Sequence, residues 1–336
     1  MRKRLRALGV VLAVLATGAF GAASAAAAED EGPTEAFTLK DPRIKESSGL
    51  AASRAHKGVY WTHNDSGYQP MVYAVDSATG ETVAAITLTG VEGRDLEAVS
   101  VGPDGNVHIA DIGDNFGGRW EELWIYRFPE PEKLVDQTLQ PTVFRIAYDD
   151  GKRDAESLAV HPKTGRVYIV GKNEDGDGLY RGPEELTTEG VNTFERIAEI
   201  DLWATDAAFS PDGSRLAVRG YFGGIMYDFA GGRPERLSRL QVPLQRQGES
   251  VTFTPDGKRL LYGSEGEASE VKPVELHGDQ RPADVQKKDE SGKGSGGGSD
   301  PDSPQADGNL LLGAATFAAA VAIWLGLRRV IGSRKR

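Results

Sequence analysis

The chain has 336 residues, 50 of them acidic and 39 basic, for a formal net charge of −11, and no cysteine. The missing thiols exclude disulfides, cysteine nucleophiles and thiolate metal sites. Nine of the basic residues sit in the two termini, which hold no acid, so residues 29–309 carry 30 basic against 50 acidic residues. That balance argues against nucleic acid and anionic lipid as partners of the main body.

Taken in chain order, residues 1–28 read as a secretory signal peptide. Arg2, Lys3, Arg4 and Arg6 precede an apolar run from Ala7 to Phe20, and Ala23-Ser24-Ala25 and Ala26-Ala27-Ala28 offer small-residue cleavage sites. Residues 35–280 are predicted to form one all-β domain. It opens with a short strand signal, Glu35 to Lys40, and continues through a repeated unit.

The best copy of that unit runs from Arg94 to Asn115. It comprises a strand (Ala98 to Val101), a Pro-Asp-Gly turn (Pro103 to Gly105), a second strand (Asn106 to Ala110) and a charged loop. Further copies begin at Arg153, Ala204 and Gln247, and a degenerate one at Lys45. Aligned on their turns, these place Ser48, Glu97, Glu156, Thr205 and Glu249 in register, at spacings of 49, 59, 49 and 44 residues. Several short strands per repeat at such a period predict a single β-propeller of five blades, with six open because the second repeat is long. The last repeat lacks an outer strand, so the N-terminal strand is expected to complete it and close the ring.

After the body, residues 281–309 read as a Gly/Ser/Asp/Pro-rich flexible linker. Residues 310–327 form an uncharged apolar segment of transmembrane length, and residues 328–336 a basic tail expected to stay cytoplasmic. This ending resembles the sorting tail of Gram-positive wall proteins but has no LPxTG motif. The expectation is a single-pass protein of the cell membrane, held by its C-terminal helix with the propeller outside.

The segments SGLAAS…WTHNDSG, DLEAVS…IADIGDN…IYRFPEP, DAESLAVHP…YIVGK…LYRGP and GESVTF…SEG cover about residues 43–270. Together they resemble a family of secreted, largely actinobacterial β-propeller proteins that lie near the phytase-like, SMP-30/gluconolactonase-like and WD40-like propellers. The Gly-His and Trp-Asp hallmark of WD40 repeats is itself absent. The resemblance implies the fold and secretion, and carries no activity of its own. One departure is Ala204-Thr205-Asp206, where Asp206 adds a carboxylate.

In a propeller, first strands start and second strands end at one mouth of the central channel. Here the starts are Ser48, Glu97, Glu156, Thr205 and Glu249, and the ends are assigned to Asp65, Asp111, Lys172, Arg219 and Glu265. These ten form the candidate binding site. Glu97, Glu156, Glu249 and Asp111 are the candidate ligands of a hard cation such as Ca²⁺, which takes six to eight oxygens. Lys172 and Arg219 equally suit a phosphate or carboxylate, and the acids could instead be structural ion pairs with Lys172, Arg219, Arg94 and Arg153.

A second cation signal is Asn173-x-Asp175-x-Asp177-Gly178 with Glu184 at the twelfth position, set against an ordinary hairpin turn. His63 is a possible base or ligand, and His108 is expected to pack between blades. No nucleophile elbow, metalloprotease helix or phosphate-cradling loop is present, so no catalytic residue is assigned. Two functions stay open. One is a surface-displayed module binding an extracellular ligand or protein, the other a Ca²⁺-dependent phytase-like or lactonase-like hydrolase.

Overall fold

A computed structural model describes residues 31–293 of the chain. The predicted signal peptide, transmembrane segment and basic tail, and most of the predicted linker, lie outside them. Among the described residues no helix is long and apolar enough to cross a membrane.

The body is built from strands. β1 (Phe37–Thr38) is followed by β2 (Ser47–Ala52), β3 (Val59–Asn64), β4 (Met71–Asp76) and β5 (Thr82–Leu88). Next come β6 (Leu96–Val101), β7 (Asn106–Asp111), β8 (Leu123–Pro129), β9 (Gln137–Leu139) and β10 (Thr142–Tyr148). Then follow β11 (Ala155–Val160), β12 (Val167–Gly171), β13 (Asp177–Arg181) and β14 (Val191–Ile200). β15 (Ala204–Phe209), β16 (Arg215–Gly220), β17 (Gly224–Asp228) and β18 (Glu235–Leu240) precede β19 (Gly248–Phe253), β20 (Arg259–Ser264) and β21 (Glu270–Glu275). Up-and-down antiparallel pairing makes quartets of these: β2 to β5; β6, β7, β8 and β10; β11 to β14; β15 to β18; and β19, β20, β21 with β1.

The first-to-second-strand hairpins share one device. Gly58, Gly105, Gly165, Gly213 and Gly257 all adopt φ between 70° and 77°, the left-handed region where a side chain is disfavoured. Apolar residues alternate along the strands, and the buried ones collect between neighbouring quartets. Trp61 packs with Phe128 in the first seam and Phe144 with Ile169 in the second. Tyr168 packs with Phe229 in the third, Met226 with Leu260 in the fourth, and Leu39 and Tyr60 with Leu261 in the fifth. The first strands β2, β6, β11, β15 and β19 each lie against the next, and β19 returns to β2. The quartets therefore close into a ring, the arrangement of a β-propeller. As expected, the N-terminal strand completes the last quartet: Phe37 pairs with Val271 and Thr38 with Glu270.

Two expectations need correction. The quartets are not five separate sheets: hydrogen bonding groups the strands into four. The ten-residue β14 pairs antiparallel with β13 and, through its first half, parallel with β10, which fuses the second and third quartets into one eight-stranded sheet. The long second repeat likewise supplies no additional quartet. Its extra length carries β9 across to the outer edge of the first quartet, where it pairs parallel with β5.

The predicted linker also begins as structure, because α1 (Ala283–Lys293) occupies part of it. Backbone N–H groups of Ala283 and Asp284 donate to Ser214 Oγ and Asp212 Oδ2, at 2.9 and 3.1 Å, which satisfies two of the donors a helix start leaves open. Asp212 belongs to a hairpin turn, so the chain leaves the ring on the hairpin face. It also arrives there, since the Arg259 guanidinium donates to Glu31 O beside the fifth hairpin.

Leu39 is 1% exposed in the closing seam. Leu39→Ala should cost about 2–5 kcal/mol, read as a lower denaturation midpoint with unchanged denaturant dependence.

Candidate cation site at the mouth of the ring

Each first strand carries a β-bulge near its start. The ladders jump between Ser47 and Leu50, Leu96 and Ala98, Ala155 and Ser157, Ala204 and Asp206, and Gly248 and Val251. The skipped residues include Ser48, Glu97, Glu156, Thr205 and Glu249, the five placed in register from the sequence. A bulge leaves its extra residue outside the ladder and re-aims its side chain. All five are at least nine-tenths buried, with Glu97 2% and Glu249 3% exposed. Ser48 Oγ donates to Glu97 O at 3.1 Å and Thr205 Oγ1 to Glu249 O at 2.9 Å, linking neighbouring bulges.

The second-strand ends are brought together only in part. The ladder pairs Asn64, Asp111, Gly171, Gly220 and Ser264 with the residue just before each bulge. The next residue, at the mouth, is therefore Asp65, Ile112, Lys172, Tyr221 and Glu265. Asp65, Lys172 and Glu265 hold the predicted place; Asp111 and Arg219 do not. The Asp111 carboxylate accepts from the Arg94 and Asp95 N–H groups, each at 3.0 Å, and from Tyr126 Oη at 2.6 Å. It is a backbone latch and no cation ligand. The Arg219 guanidinium is fully buried between the fourth and fifth quartets, donating to Ser250 O at 2.6 Å, Gly263 O at 2.7 Å and Gln245 Oε1 at 2.8 Å. Asp111 stands one residue before the mouth position and so faces the other way, its hairpin (Gly105-Asn106) being a residue shorter than Gly213-Ser214-Arg215, whereas Arg219 stands two residues before Tyr221.

Other candidates are also reassigned. The Asp206 carboxylate accepts from the Ala207 and Val251 N–H groups, both at 2.8 Å, and joins the last two quartets instead of entering the mouth. Buried His63 lies beneath Gly49, and loss of solvent lowers it to about 4. His108 is buried near Gly102 and Val160, between the second and third quartets as expected, and burial lowers it to about 4. In the suspected calcium loop, Asp177 accepts from the Gly178 N–H, Arg153 and Tyr180, and Glu184 pairs with Arg166 at 3.0 Å beyond the far end of β13. Those carboxylates cannot converge, and the segment is a hairpin turn.

Three acids the sequence alignment passed over complete the mouth: Glu46, Asp95 and Asp154, just ahead of the bulges. They precede strands in equivalent places of successive repeats, a signal as regular as the one used for the bulge. Asp65, Asp95 and Glu97 offer oxygens that lie within 4.8 Å of one another. Glu97 Oε1 and Asp95 Oδ1 are buried without a hydrogen-bond partner. A Cβ on Gly113 would come within 2.2 Å of Glu97 Oε1 and 2.6 Å of Asp95 Oδ2, so a side chain there would fill the cradle. Of the predicted ligand set, only Glu97 joins this group. Glu156 instead pairs with the Lys172 ammonium, and Glu249 lies by the fifth quartet.

The electrostatics follow from crowding like charges out of water. Burial, then the neighbouring Asp65 and Asp154 carboxylates, push Asp95 up to about 7. Burial pushes Glu249 up to about 7, and burial with Glu249 and Asp65 pushes Glu265 up to about 8. Burial also raises Glu97, Asp65 and Asp154. Lys172 opposes the rise at Asp65, Glu97, Asp154, Glu249 and Glu265.

A carboxyl held above its unfolded value binds its proton more tightly when folded. Its stabilisation is full below the unfolded value and is lost as pH rises through the folded one. Without divalent cations, the melting temperature of the full-length protein should therefore fall from pH 5 toward pH 8, the window bounded by Glu249 and Asp95 at about 7 and Glu265 at about 8. Glu265→Gln should flatten the upper part of that decline. Asp111→Ala should instead lower stability by about 1–3 kcal/mol, because it strips buried donors of their acceptor. Melts across pH check both.

A comparison with protein-family models finds no match, and neither does a comparison with curated protein sequences. Among solved structures, the chain is similar to a gluconolactonase from Xanthomonas campestris, at 15% identity over 71% of this chain and 88% of that one, with a TM-score of 0.44. It is similar to the PQQ-bound aldose sugar dehydrogenase from Streptomyces coelicolor, at 12% identity over 72% and 98% of the two chains, TM-score 0.41. A putative 6-phosphogluconolactonase from Bacteroides uniformis matches at 13% identity over 73% and 70%, TM-score 0.41.

Proposed function

We propose that this protein is a five-bladed propeller that holds a divalent cation, Ca²⁺ by the all-oxygen donor set, in its mouth and there binds an extracellular ligand. The observation that carries this is the convergence of Asp65, Asp95 and Glu97 oxygens within 4.8 Å, two of the carboxylates having partnerless buried oxygens. Such a group is costly to bury unless a cation compensates it. When bound, the cation would supply positive charge and open coordination positions. Asp65, Asp95 and Glu97 would hold it, and Lys172 keeps Glu156 out of the set.

Display at a cell membrane fits the same geometry. The chain enters and leaves the ring on the hairpin face, at the end opposite the mouth. A hydrolytic role is the second reading, favoured by Glu249 at about 7 and Glu265 at about 8, values suited to proton transfer near neutral pH. In that case a phosphoester or lactone would be turned over only with Ca²⁺ present.

Elemental analysis of the full-length protein should find one calcium per chain, and chelation should lower its melting temperature. Asp65→Asn and Asp95→Asn should each abolish both effects, whereas Glu249→Gln should leave them. No bound metal and no chelator shift would refute the cation site. Turnover of phosphoester or lactone substrates by the calcium-loaded protein, lost in Glu265→Gln, would decide for the hydrolase.

A further inference from the structure

The fourth quartet breaks the chemistry of the mouth. Ahead of the bulge the other quartets carry Glu46, Asp95, Asp154 and Gln247; the fourth carries Trp203. At the strand ends they carry Asp65, Ile112, Lys172 and Glu265; the fourth carries Tyr221. Trp203 meets Tyr221 edge-on with ring centroids 5.1 Å apart, and Phe222, 64% exposed, lies 6.3 Å from Tyr221. An acidic well thus has one aromatic wall. Tyr221 stands beside the acids, since the Lys172 ammonium that pairs with Glu156 lies near its ring, and burial and then the surrounding carboxylates raise its hydroxyl.

We propose that this mouth receives an organic ammonium group, with the carboxylates supplying charge and the Trp203–Tyr221–Phe222 wall supplying aromatic faces. The inference rests on the mouth being the ligand-binding face and names the class of ligand. An ammonium carries three donors and no acceptor, which suits a buried carboxylate oxygen that lacks a partner, and Glu156 Oε2, outside the cation group, is such an atom. Ring faces attract cations within about 6 Å of their centroids. Lys172 shows the interaction within the molecule: its ammonium pairs with Glu156 and lies 5.8 Å from the Tyr221 centroid. Charge works against the opposite class: the mouth holds eight carboxyl groups, some of them protonated near neutral pH, against the single ammonium of Lys172.

The test is calorimetric titration of spermidine into full-length protein, once with saturating calcium and once with chelator. Saturable binding is expected. Tyr221→Ala should weaken it about tenfold, equivalent to ~1.4 kcal/mol, whereas Tyr221→Phe, which keeps the ring, should retain it. Both variants should keep the wild-type calcium content, which shows that the mouth is intact. Binding that ignores Tyr221→Ala would reduce the effect to general attraction by acidic surface, and equal binding of glucose or glucose 6-phosphate would overturn the ligand class. Calcium without spermidine binding overturns this inference and leaves the cation site standing; spermidine without calcium binding does the reverse.

Discussion

Closure of the ring rests on a short piece of backbone, Phe37 against Val271 and Thr38 against Glu270, backed by the buried side chains of Phe37 and Leu39. Every other seam is filled by quartets that follow each other in sequence. The last one must be bridged by the N-terminal strand, which brings together residues more than two hundred positions apart. Without that strand the last quartet would have an open edge, and Tyr60, Tyr73 and Leu261 would lose part of their cover. Closing the ring removes the edge and at the same time drives five strand starts onto one axis.

That convergence explains the mouth. Five bulges around one axis place their side chains close together whatever their chemistry, and here three of the five are glutamates. The fold therefore does electrostatic work to hold them, visible as carboxyls pushed upward from Asp65 to Glu265. Lys172 relieves much of this from a single position. Elsewhere the same topology uses its polar groups quietly: Asp111, Asn64 and Ser264 stand at one ladder position and bind the backbone ahead of the bulge. Neighbouring positions on a strand thus divide between latch and site, because alternate side chains face opposite ways.

The repeat and its register at the bulge were legible because both are written locally. Turn glycines, alternating apolar residues and a fixed distance from turn to strand start recur with little variation, and the N-terminal strand was recognisable as the partner the last repeat lacked. The site was half legible. Ser48, Glu97, Glu156, Thr205 and Glu249 share a mouth, as do Asp65, Lys172 and Glu265. Asp111 stands one residue and Arg219 two residues short of the mouth, and Asp206, next to the mouth residue Thr205, belongs to a seam.

Local sequence thus determined the all-β class, the turns, the repeat and the direction of closure, since each depends on a few neighbouring residues and their backbone preferences. Only the tertiary structure decided that β14 would serve two quartets and that β9 would cross to the first. It alone also decided that Glu97 would find Asp65 and Asp95 where Glu156 finds Lys172. Those outcomes depend on distances across the ring between residues tens of positions apart, and a strand's side chains change face with every single residue by which a loop lengthens.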